Sequence, residues 1–239
     1  EKFALREDLT APEDFSAEPI CAVSDFALPE FLAELHADFT TPPPPGECVH
    51  FTKAIAEEFL AAAVPLCRRE IAALRDRYAL TKMTKVVVGG MTRAESSLAG
   101  VLAASNRATL IGIHDAARPL VTDAIITDTV CAAQRGRAAA PGIPVRDTVK
   151  VTADGIITGT PARSTLSAIQ TPQVFQADLI KAALTNAMRK HLAITDDCSA
   201  VEQLHVKPVV TQGSDENIKI TTPIDIELAE LILRRRGRA

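Results

Sequence analysis

The feature that most constrains this fold is an apolar run, residues 109–113, that ends abruptly in polar side chains. His114 and Asp115 follow the run directly, and Arg118 comes three residues after Asp115. Such a run is typical of a buried strand in an open α/β sheet, where ligands bind at the carboxyl ends of the strands. An acid and a guanidinium at that edge can hold a metal ion, a sugar hydroxyl or a phosphate. The competing interpretation is an ion pair that only fixes the loop, and His114 is expected to be packed and neutral.

From residue 85 onwards, the apolar pattern alternates between the period of a strand and that of a helix. A β-branched run at 85–88 is followed by a helical pattern at 92–104, the strand at 109–113 and a second helical pattern at about 122–135. This alternation predicts an α/β fold with a mostly parallel sheet and right-handed crossovers. The first helix is expected to bury one face, made by Leu98, Val101 and Leu102.

Turn and cap signals place the remaining elements. Two strand-like arms at 144–152 and 155–160 flank an Asp-Gly dipeptide, which is typical of a hairpin turn. For the last helix, Thr222 is the predicted N-cap, Pro223 suits the first turn and Asp225 favours the positive end of the dipole. The other predicted elements are helices at 29–39, 51–78 and 177–190 and strands at 20–23, 206–210 and 217–220. The last helix is expected to bury Ile224, Leu228, Leu231 and Ile232.

Composition and charge narrow the class of protein. A hydrophobic content of 47% suits a globular core, and a net charge of −4 argues against a nucleic-acid binder. No apolar run is long enough to predict a membrane span. Residues 1–60 hold 13 acidic and three basic residues, so we divide the chain into an acidic N-terminal segment, 1–60, and an α/β domain, 61–239. Five scattered cysteines without a C-x-x-C pair predict reduced thiols in a cytoplasmic protein.

Four more segments carry groups that fit an anion site, and each has a plainer interpretation. Gly89-Gly90 permits close approach of the backbone to a ligand, or is only a tight turn, and Ser96 beyond it is either a ligand contact or a solvated helix residue. The run at 145–150 predicts a basic strand face that grips a phosphate or protects a sheet edge. Residues 195–199 predict an acidic helix cap or a ligand contact. Lys219 either reaches a phosphate near the last helix or is a snorkelling lysine.

Taken in order, and together with a polar, proline-containing loop at 168–173, these segments form six motifs, from Gly-Gly-x-x-Arg-x-x-Ser at residue 89 to Asn-Ile-Lys-Ile-Thr-x-Pro-x-Asp at residue 217. The four between them are His-Asp-Ala-Ala-Arg-Pro, Pro-Val-x-Asp-Thr-x-Lys, Gln-Thr-Pro-Gln-x-Phe and Thr-Asp-Asp. The set resembles the 2-C-methyl-D-erythritol 4-phosphate cytidylyltransferases of the non-mevalonate isoprenoid pathway, over about Val64 to Leu233. The related enzymes that act on ribitol 5-phosphate tend to carry Val at the position of Ala117 and to lack a lysine at the position of Lys150.

The resemblance implies a Rossmann-like nucleotidyltransferase fold with helices on both faces of the sheet and a projecting β-arm at about 143–165. It implies a bacterial-type cytoplasmic homodimer in which the arms are exchanged between subunits, with neither nucleic acid nor membrane as a partner. The implied reaction joins CTP and methylerythritol phosphate to give the cytidine diphosphate derivative and pyrophosphate, with Mg²⁺ or another divalent cation. The chemistry needs charge neutralisation at a pentavalent phosphorus and no covalent nucleophile.

The resemblance also implies roles for individual residues. Catalysis is assigned to Arg118 and Lys219, with Arg118 at the sugar-phosphate site, and Asp115 is the implied metal ligand. The residues that correspond to the family's nucleotide site are Gly89, Gly90, Ser96, Asp115 and Ala116. The residues that correspond to its contacts with the substrate phosphate and polyol, partly across the dimer, are Thr148, Arg163, Thr171, Thr195 and Lys219.

The N-terminal segment departs from the family pattern. The family opens with a strand and a glycine-rich loop, Leu-Ala-Ala-Gly-x-Gly-x-Arg-Met, that wraps the triphosphate, whereas Gly46 is the only glycine here before Gly89. Met91 also replaces an often acidic position beside the base. The charge of residues 1–60, a net −10, repels a triphosphate. We therefore hypothesise that the family assignment holds while turnover by this chain is impaired.

Two alternatives remain open from the sequence. One is a catalytically silent, dimeric homologue that binds a sugar phosphate, which binding of the acceptor without binding of CTP would reveal. The other is a cytidylyltransferase for another polyol phosphate such as ribitol 5-phosphate, which a panel of acceptors would reveal.

Overall fold

The structure, a computed structural model, describes residues 2–6, 18–23, 69, 71–90 and 92–237. The helix predicted at 29–39 and most of the one predicted at 51–78 lie outside these residues, although 71–77 are helical. Ten strands are described: β1 Lys2–Arg6, β2 Glu18–Val23, β3 Lys85–Val88, β4 Ala108–Ile113, β5 Ala138–Pro144, β6 Val151–Ala153, β7 Ile156–Gly159, β8 Ser167–Ile169, β9 Gln173–Gln176 and β10 Val209–Gln212. The helices labelled here are α1 Arg93–Ala103, α2 Asp123–Gly136, α3 Ala177–Arg189, α4 Asp197–Glu202 and α5 Pro223–Arg235, with a short 3-10 helix at Arg163–Thr165.

Eight of these strands form one sheet, in the order β10-β5-β9-β4-β1-β2-β3, with β8 paired to β5. The pairings β2 with β3 and β5 with β10 are parallel, and the remaining pairings of this sheet are antiparallel. Strands β2, β3, β4, β5 and β10 consequently run in the same direction, while β1 and β9 run against them. The direction of most strands agrees with the predicted parallel sheet, but the neighbours of β4 are both antiparallel. The carboxyl ends of β3, β4, β5 and β10 meet at one edge.

The core lies on both faces of this sheet, because alternate residues of a strand point to opposite sides. On one face Ile111 and Ile113 of β4 pack in a cluster that includes residues of α1, α3 and α4. On the other face Leu110 packs with Val130 and Ala133 of α2. The predicted arrangement of helices on both faces of an α/β sheet is therefore confirmed.

The helix starts follow from the caps in the sequence. The Thr92 hydroxyl of α1 accepts from the Glu95 amide, and the Glu95 carboxylate accepts from the Thr92 amide. Thr222 is the N-cap of α5, as predicted, and Pro223 begins the helix. Within the described residues, no helix is long and apolar enough to cross a membrane.

Two predicted apolar faces are partly wrong. Leu102 of α1 is 60% exposed, although Val101 beside it is fully buried. On α5 the buried side chains are Ala229 and Ile232, which pack on Leu120. Three residues predicted to be buried on α5 are exposed: Ile224, Leu228 and Leu231. Helical spacing identifies the apolar face of a helix. How much of that face is buried depends on the neighbouring elements.

The β-arm is a hairpin with a shorter paired region than predicted. Strands β6 and β7 pair around Asp154 and Gly155, whose φ angles of 50° and 78° fit the predicted turn. Residues 145–150 are not a strand, so the basic strand face predicted there is wrong. Residues 217–220 are also irregular, and the strand predicted at 206–210 begins at Val209 instead. Residues 145–150 and 217–220 make hydrogen bonds through side chains or single amides, and they do not form the repeated backbone hydrogen bonds of a β-ladder.

Candidate active site

Three cations surround the carboxylate of Asp115, just beyond the carboxyl end of β4. Its oxygens lie 3.3 Å from Nζ of Lys219, 3.5 Å from Nε of Arg118 and 3.8 Å from Nη2 of Arg93. The Asp115 side chain is 18% exposed, so the group is close to solvent but not fully hydrated. The predicted pairing of Asp115 with Arg118 is present, and the fold adds two cations to it.

This charge arrangement affects the ionisation of Asp115. Burial alone raises the pKa of its carboxyl, but Lys219, Arg93 and Arg118 together hold that pKa below its usual value. Burial lowers the pKa of the Arg118 guanidinium, and Asp115 opposes this effect only in part. Arg93 is also paired with the buried Asp197, so the positive excess at this edge comes from Arg118 and Lys219 against Asp115, and this excess favours an anionic ligand.

A chain of hydrogen bonds fixes the loop that carries Asp115. The Asp115 amide donates to the Thr171 hydroxyl at 3.0 Å, and that hydroxyl lies 2.8 Å from Nδ1 of His114. Nε2 of His114 lies 3.0 Å from the Arg118 carbonyl, which can only accept. The directions therefore fit an imidazole protonated on Nε2 that accepts on Nδ1 from Thr171. His114 is 6% exposed, as expected for a packed histidine.

Asn217 links Arg118 to the segment that carries Lys219. Nη1 of Arg118 donates to the Asn217 carbonyl at 2.7 Å, and the amide of Ile220 donates to the Ala117 carbonyl at 2.8 Å. The Asn217 side chain is fully buried and donates to the Thr171 carbonyl at 3.0 Å. Lys219 and Arg118 thus reach Asp115 from two segments that are tied together.

Arg93, at the start of α1, joins this cluster to α4. Its Nη2 donates to Oδ2 of Asp197 at 2.7 Å, and the Asp197 side chain is fully buried. Burial alone lowers the pKa of Arg93, but Asp197 and then Asp115 raise it above its usual value. Asp196 is the N-cap of α4, which confirms the predicted acidic cap. Thr195, exposed just before this cap, is therefore held near the same edge by α4.

The Gly-Gly turn and Ser96 form a tight unit at the start of α1. The Gly90 amide donates to the Ser96 hydroxyl at 3.0 Å, and that hydroxyl lies 3.0 Å from the Thr92 carbonyl. Ser96 is 2% exposed, so its interpretation as a solvated residue is wrong. A Cβ at position 90 would overlap Cβ of Glu95, so only glycine fits there. Gly89 precedes this unit and is partly exposed.

The arm residues lie apart from this contact network. Thr148 is exposed, and Nη1 of Arg163 donates to the Arg146 carbonyl at 2.8 Å within the arm. In the part of the chain that the structure describes, no hydrogen bond or ion pair joins either residue to the Asp115 cluster. Ala116, next to Asp115, is exposed and offers its backbone to solvent.

Arg93, Asp197 and Asn217 are members of the site that were not identified from the sequence. Arg93 is one of the named positions of the first motif, and Asn217 begins the last one, so both motifs contained the signal. Asp197 gave no sign that its side chain is buried, because an acid at a helix N-terminus is usually explained by the helix dipole.

The fold and the site define a Rossmann-like α/β protein with an anion-attracting cluster at the carboxyl edge of its sheet, the class that includes nucleotidyltransferases. A family model described as 2-C-methyl-D-erythritol 4-phosphate cytidylyltransferase matches residues 63–235. The chain therefore belongs to the 2-C-methyl-D-erythritol 4-phosphate cytidylyltransferase family.

Relatives and solved structures agree with this assignment. The enzyme of that name from Syntrophotalea carbinolica is 44% identical over 177 residues, which are 74% of this chain and 75% of the relative. The one from Caldanaerobacter subterraneus is 43% identical over 161 residues, 67% of this chain and 71% of the relative. The crystal structure of the Thermus thermophilus enzyme has a TM-score of 0.59 and 34% identity, over 64% of this chain and 75% of that one. The 4-diphosphocytidyl-2C-methyl-D-erythritol synthase structure from Anaerococcus prevotii has a TM-score of 0.63 and 30% identity, over 70% and 74% of the two chains.

Proposed function

We propose that this chain transfers the cytidylyl group of CTP to the phosphate of 2-C-methyl-D-erythritol 4-phosphate. A phosphate oxygen of the acceptor attacks the α-phosphorus of CTP in line, and the bond to the β-phosphate breaks. Pyrophosphate leaves with the electron pair, and the product is 4-diphosphocytidyl-2-C-methylerythritol. The observation that carries this proposal is the convergence of Arg118 and Lys219 on Asp115 at the sheet edge, inside the region that matches the family.

The proposed role of Arg118 and Lys219 is to neutralise phosphate charge. Two polyanions must approach each other, and the pentavalent transition state spreads negative charge over its equatorial oxygens. Cations that are held in place before the reaction stabilise that charge without further reorganisation. Lys219 is 47% exposed and the Arg118 side chain is 14% exposed, which fits an outer contact and an inner contact with the acceptor phosphate.

The proposed nucleotide contacts lie at the carboxyl ends of β3 and β4. Gly89 and Gly90 offer backbone groups ahead of α1, and Ser96 fixes their turn from behind rather than contacting the ligand with a free hydroxyl. Asp115 and the exposed Ala116 lie where the family contacts the ribose. Thr195 and the arm residues Thr148 and Arg163 complete the proposed acceptor site, and the buried Thr171 supports it through the Asp115 amide.

This site can supply a divalent cation with only a few protein ligands among the described residues. Among the described residues, no three His, Cys, Asp or Glu side chains cluster as a metal site. Asp115 can nevertheless supply one carboxylate, and Mg²⁺ commonly binds through one or two carboxylates together with substrate phosphates. When bound, the ion would add positive charge next to the triphosphate, with Asp115 as its protein ligand.

The proposal includes a homodimer that exchanges β-arms. The arm exposes a cluster of apolar side chains: Val149, Val151, Ile156 and Ile157. Exposed apolar patches of this kind mark interaction sites. A partner arm would also bring Thr148 and Arg163 towards a site that they do not reach within this chain. The free thiols of Cys131 and Cys198 fit the proposed cytoplasmic location, where thiols stay reduced.

The test is a pyrophosphate-release assay with CTP and 2-C-methyl-D-erythritol 4-phosphate, with ribitol 5-phosphate as the competing acceptor. We expect turnover with the methylerythritol acceptor that is at least about 100-fold below that of an ordinary family member, because the glycine-rich loop is missing from the sequence. Faster release with ribitol 5-phosphate would reassign the acceptor. Binding of acceptor by calorimetry without binding of CTP would identify a silent homologue, and ordinary turnover would refute the impairment hypothesis.

A further inference from the structure

One guanidinium nitrogen of Arg93 lies close to two carboxylates of the site. Nη2 of Arg93 lies 2.7 Å from Oδ2 of Asp197 and 3.8 Å from Oδ1 of Asp115. Asp197 is fully buried, and within the described residues its Oδ1 has no hydrogen-bond partner. Because Arg93 is the one counter-ion described for this buried charge, releasing Arg93 to a ligand would leave Asp197 uncompensated.

The other two cations around Asp115 are held there less tightly. Lys219 is about half exposed, and its Nζ lies 3.3 Å from Oδ2 of Asp115. Nε of Arg118 lies 3.5 Å from the same oxygen and makes no hydrogen bond with any described residue. Lys219 can turn towards a phosphate at little cost. Arg118 stays bonded to the Asn217 carbonyl through Nη1, and its Nε, which has no described hydrogen-bond partner, is the donor that a phosphate would satisfy, whereas Arg93 cannot leave Asp197.

A carboxylate beside phosphate-binding cations creates a competition. Asp115 attracts Arg118 and Lys219, and an incoming phosphate must draw them away from it. The Arg93–Asp197 pair is neutral as a whole, but its guanidinium nitrogen lies 3.8 Å from Asp115, so the positive end of the pair offsets part of the Asp115 charge and less attraction remains for the two exchangeable cations. Arg93 thus stays in place beside Asp115, whereas Arg118 and Lys219 can be drawn to a phosphate.

We propose that Arg93, anchored by Asp197, is a positioning residue that serves as the permanent counter-ion of Asp115 and thereby leaves Arg118 and Lys219 available to phosphate. The inference rests on the proposed function only in naming the acceptor phosphate as the ligand. The competition itself is a property of the free protein and is tested without any ligand.

The decisive variant removes both members of the buried pair, as Arg93→Met with Asp197→Leu in one chain. Removing Arg93 alone would leave a buried unpaired carboxylate and risk unfolding, whereas replacing both charges by apolar groups is often neutral for stability. A triple variant adds Asp115→Asn, which takes away the competing carboxylate. The matched control is Arg75→Met, because Arg75 is similarly exposed and its one ion pair within the described residues is with its neighbour Asp76.

The first measurement is the rate at which Lys219 is acetylated by an N-hydroxysuccinimide ester at one fixed pH, read by mass spectrometry with exposed Lys207 as internal reference. We expect about threefold slower labelling of Lys219 in the double variant, because Asp115 holds the lysine more firmly. The triple variant should return to the wild-type rate or exceed it, and the control should not change. An unchanged rate in the folded double variant, or no rescue by Asp115→Asn, would overturn the proposal, since a purely structural role predicts both.

The second measurement is calorimetric affinity for 2-C-methyl-D-erythritol 4-phosphate. We expect about tenfold weaker binding in the double variant and recovery in the triple variant. Wild-type protein that does not bind the acceptor would contradict the proposed function, while the labelling result would still decide the role of Arg93. Wild-type affinity in the double variant would refute the role of Arg93 and leave the proposed function standing.

Discussion

At the scale of single residues, the site depends on a few side chains with distinct tasks. Lys219 and Arg118 present positive charge, Asp115 gathers them, and Thr171 fixes the Asp115 backbone. Asn217 ties the segments that carry the two cations. These tasks separate residues whose loss should affect ligand binding from residues whose loss should affect stability.

Lys219→Ala should weaken acceptor binding without unfolding the protein. The lysine side chain is half exposed and its removal leaves no buried charge, because Asp115 keeps Arg93 and Arg118. The loss of one partly screened charge contact corresponds to about a tenfold increase in the dissociation constant or KM for the acceptor. Calorimetry and steady-state kinetics would measure it, with Lys207→Ala as control. Unchanged affinity would remove Lys219 from the proposed phosphate site.

Asn217→Ala should lower the free energy of unfolding. The buried side-chain amide donates to Oε1 of Gln170 and to the Thr171 carbonyl, and both acceptors would lose this donor. We expect a loss of about 1–3 kcal/mol in urea denaturation. The control is exposed Asn106→Ala, which should stay within about 0.5 kcal/mol of the wild type. Equal stabilities of the two variants would contradict the structural role of Asn217.

At the scale of elements, the helix starts bring the site segments to one edge. Strand β4 ends two residues before Asp115, α1 starts at Arg93, α4 starts two residues after Thr195, and α5 starts four residues after Lys219. Among these helix starts, the first turn of α5 has the most complete set of capping hydrogen bonds. One oxygen of Asp225 accepts from the backbone amides of Thr221 and Thr222 at 2.9 and 2.8 Å, and from both hydroxyls.

Asp225 should make the stability of α5 depend on pH. The Thr221 amide, followed by the hydroxyl and amide of Thr222, holds the pKa of the Asp225 carboxyl below its usual value. A folded-state pKa below the unfolded one means that the stabilisation is fully present above about pH 4 and is lost as the pH falls through the folded value. Asp225→Asn should therefore be less stable than the wild type near neutral pH.

Thermal or urea unfolding of the wild type and of Asp225→Asn at several pH values would measure this effect. The difference between the two proteins should shrink as the pH falls below about 4. Asp128→Asn, exposed on α2, is the control and should show no such trend. A difference that stays constant across this range would refute ionisation of Asp225 as the cause.

At the scale of the whole molecule, the chain combines a family domain with an N-terminal segment that departs from the family pattern. The matched region, residues 63–235, includes all the motifs that we identified. The described N-terminal strands β1 and β2 nevertheless join the same sheet, between β4 and β3. The proposed dimer belongs to this scale too, because it would complete the acceptor site.

Loss of the apolar arm surface should give monomers. In Ile156→Ser with Ile157→Ser, two side chains that are 69% and 61% exposed in this chain would lose the apolar contacts that we propose with a partner arm. We expect a dimer for the wild type and a monomer for the double variant by light scattering. Leu102→Ser, an equally exposed leucine on α1, should remain dimeric. A monomeric wild type, or a dimeric double variant, would contradict arm exchange.

Local sequence patterns predicted the alternation of strands and helices from residue 85 to about 135 and the polar end of β4. A buried strand, a capped helix and an Asp-Gly turn each depend on neighbours within a few residues, so periodicity and caps are sufficient to place 109–113, α5 and the hairpin. The positions of Asp115 and Arg118 at the sheet edge followed from the same local pattern.

The packing of the fold determines which distant groups meet and which apolar faces are covered. Arg93 and Asp197 are 104 positions apart, and Arg118 and Asn217 are 99 apart, so no local pattern connects them. Leu102, Ile224, Leu228 and Leu231 have the spacing of buried residues, yet no described neighbour covers them. Side-chain spacing is a local property of the backbone, whereas burial and ion pairing depend on how the sheet and its helices pack.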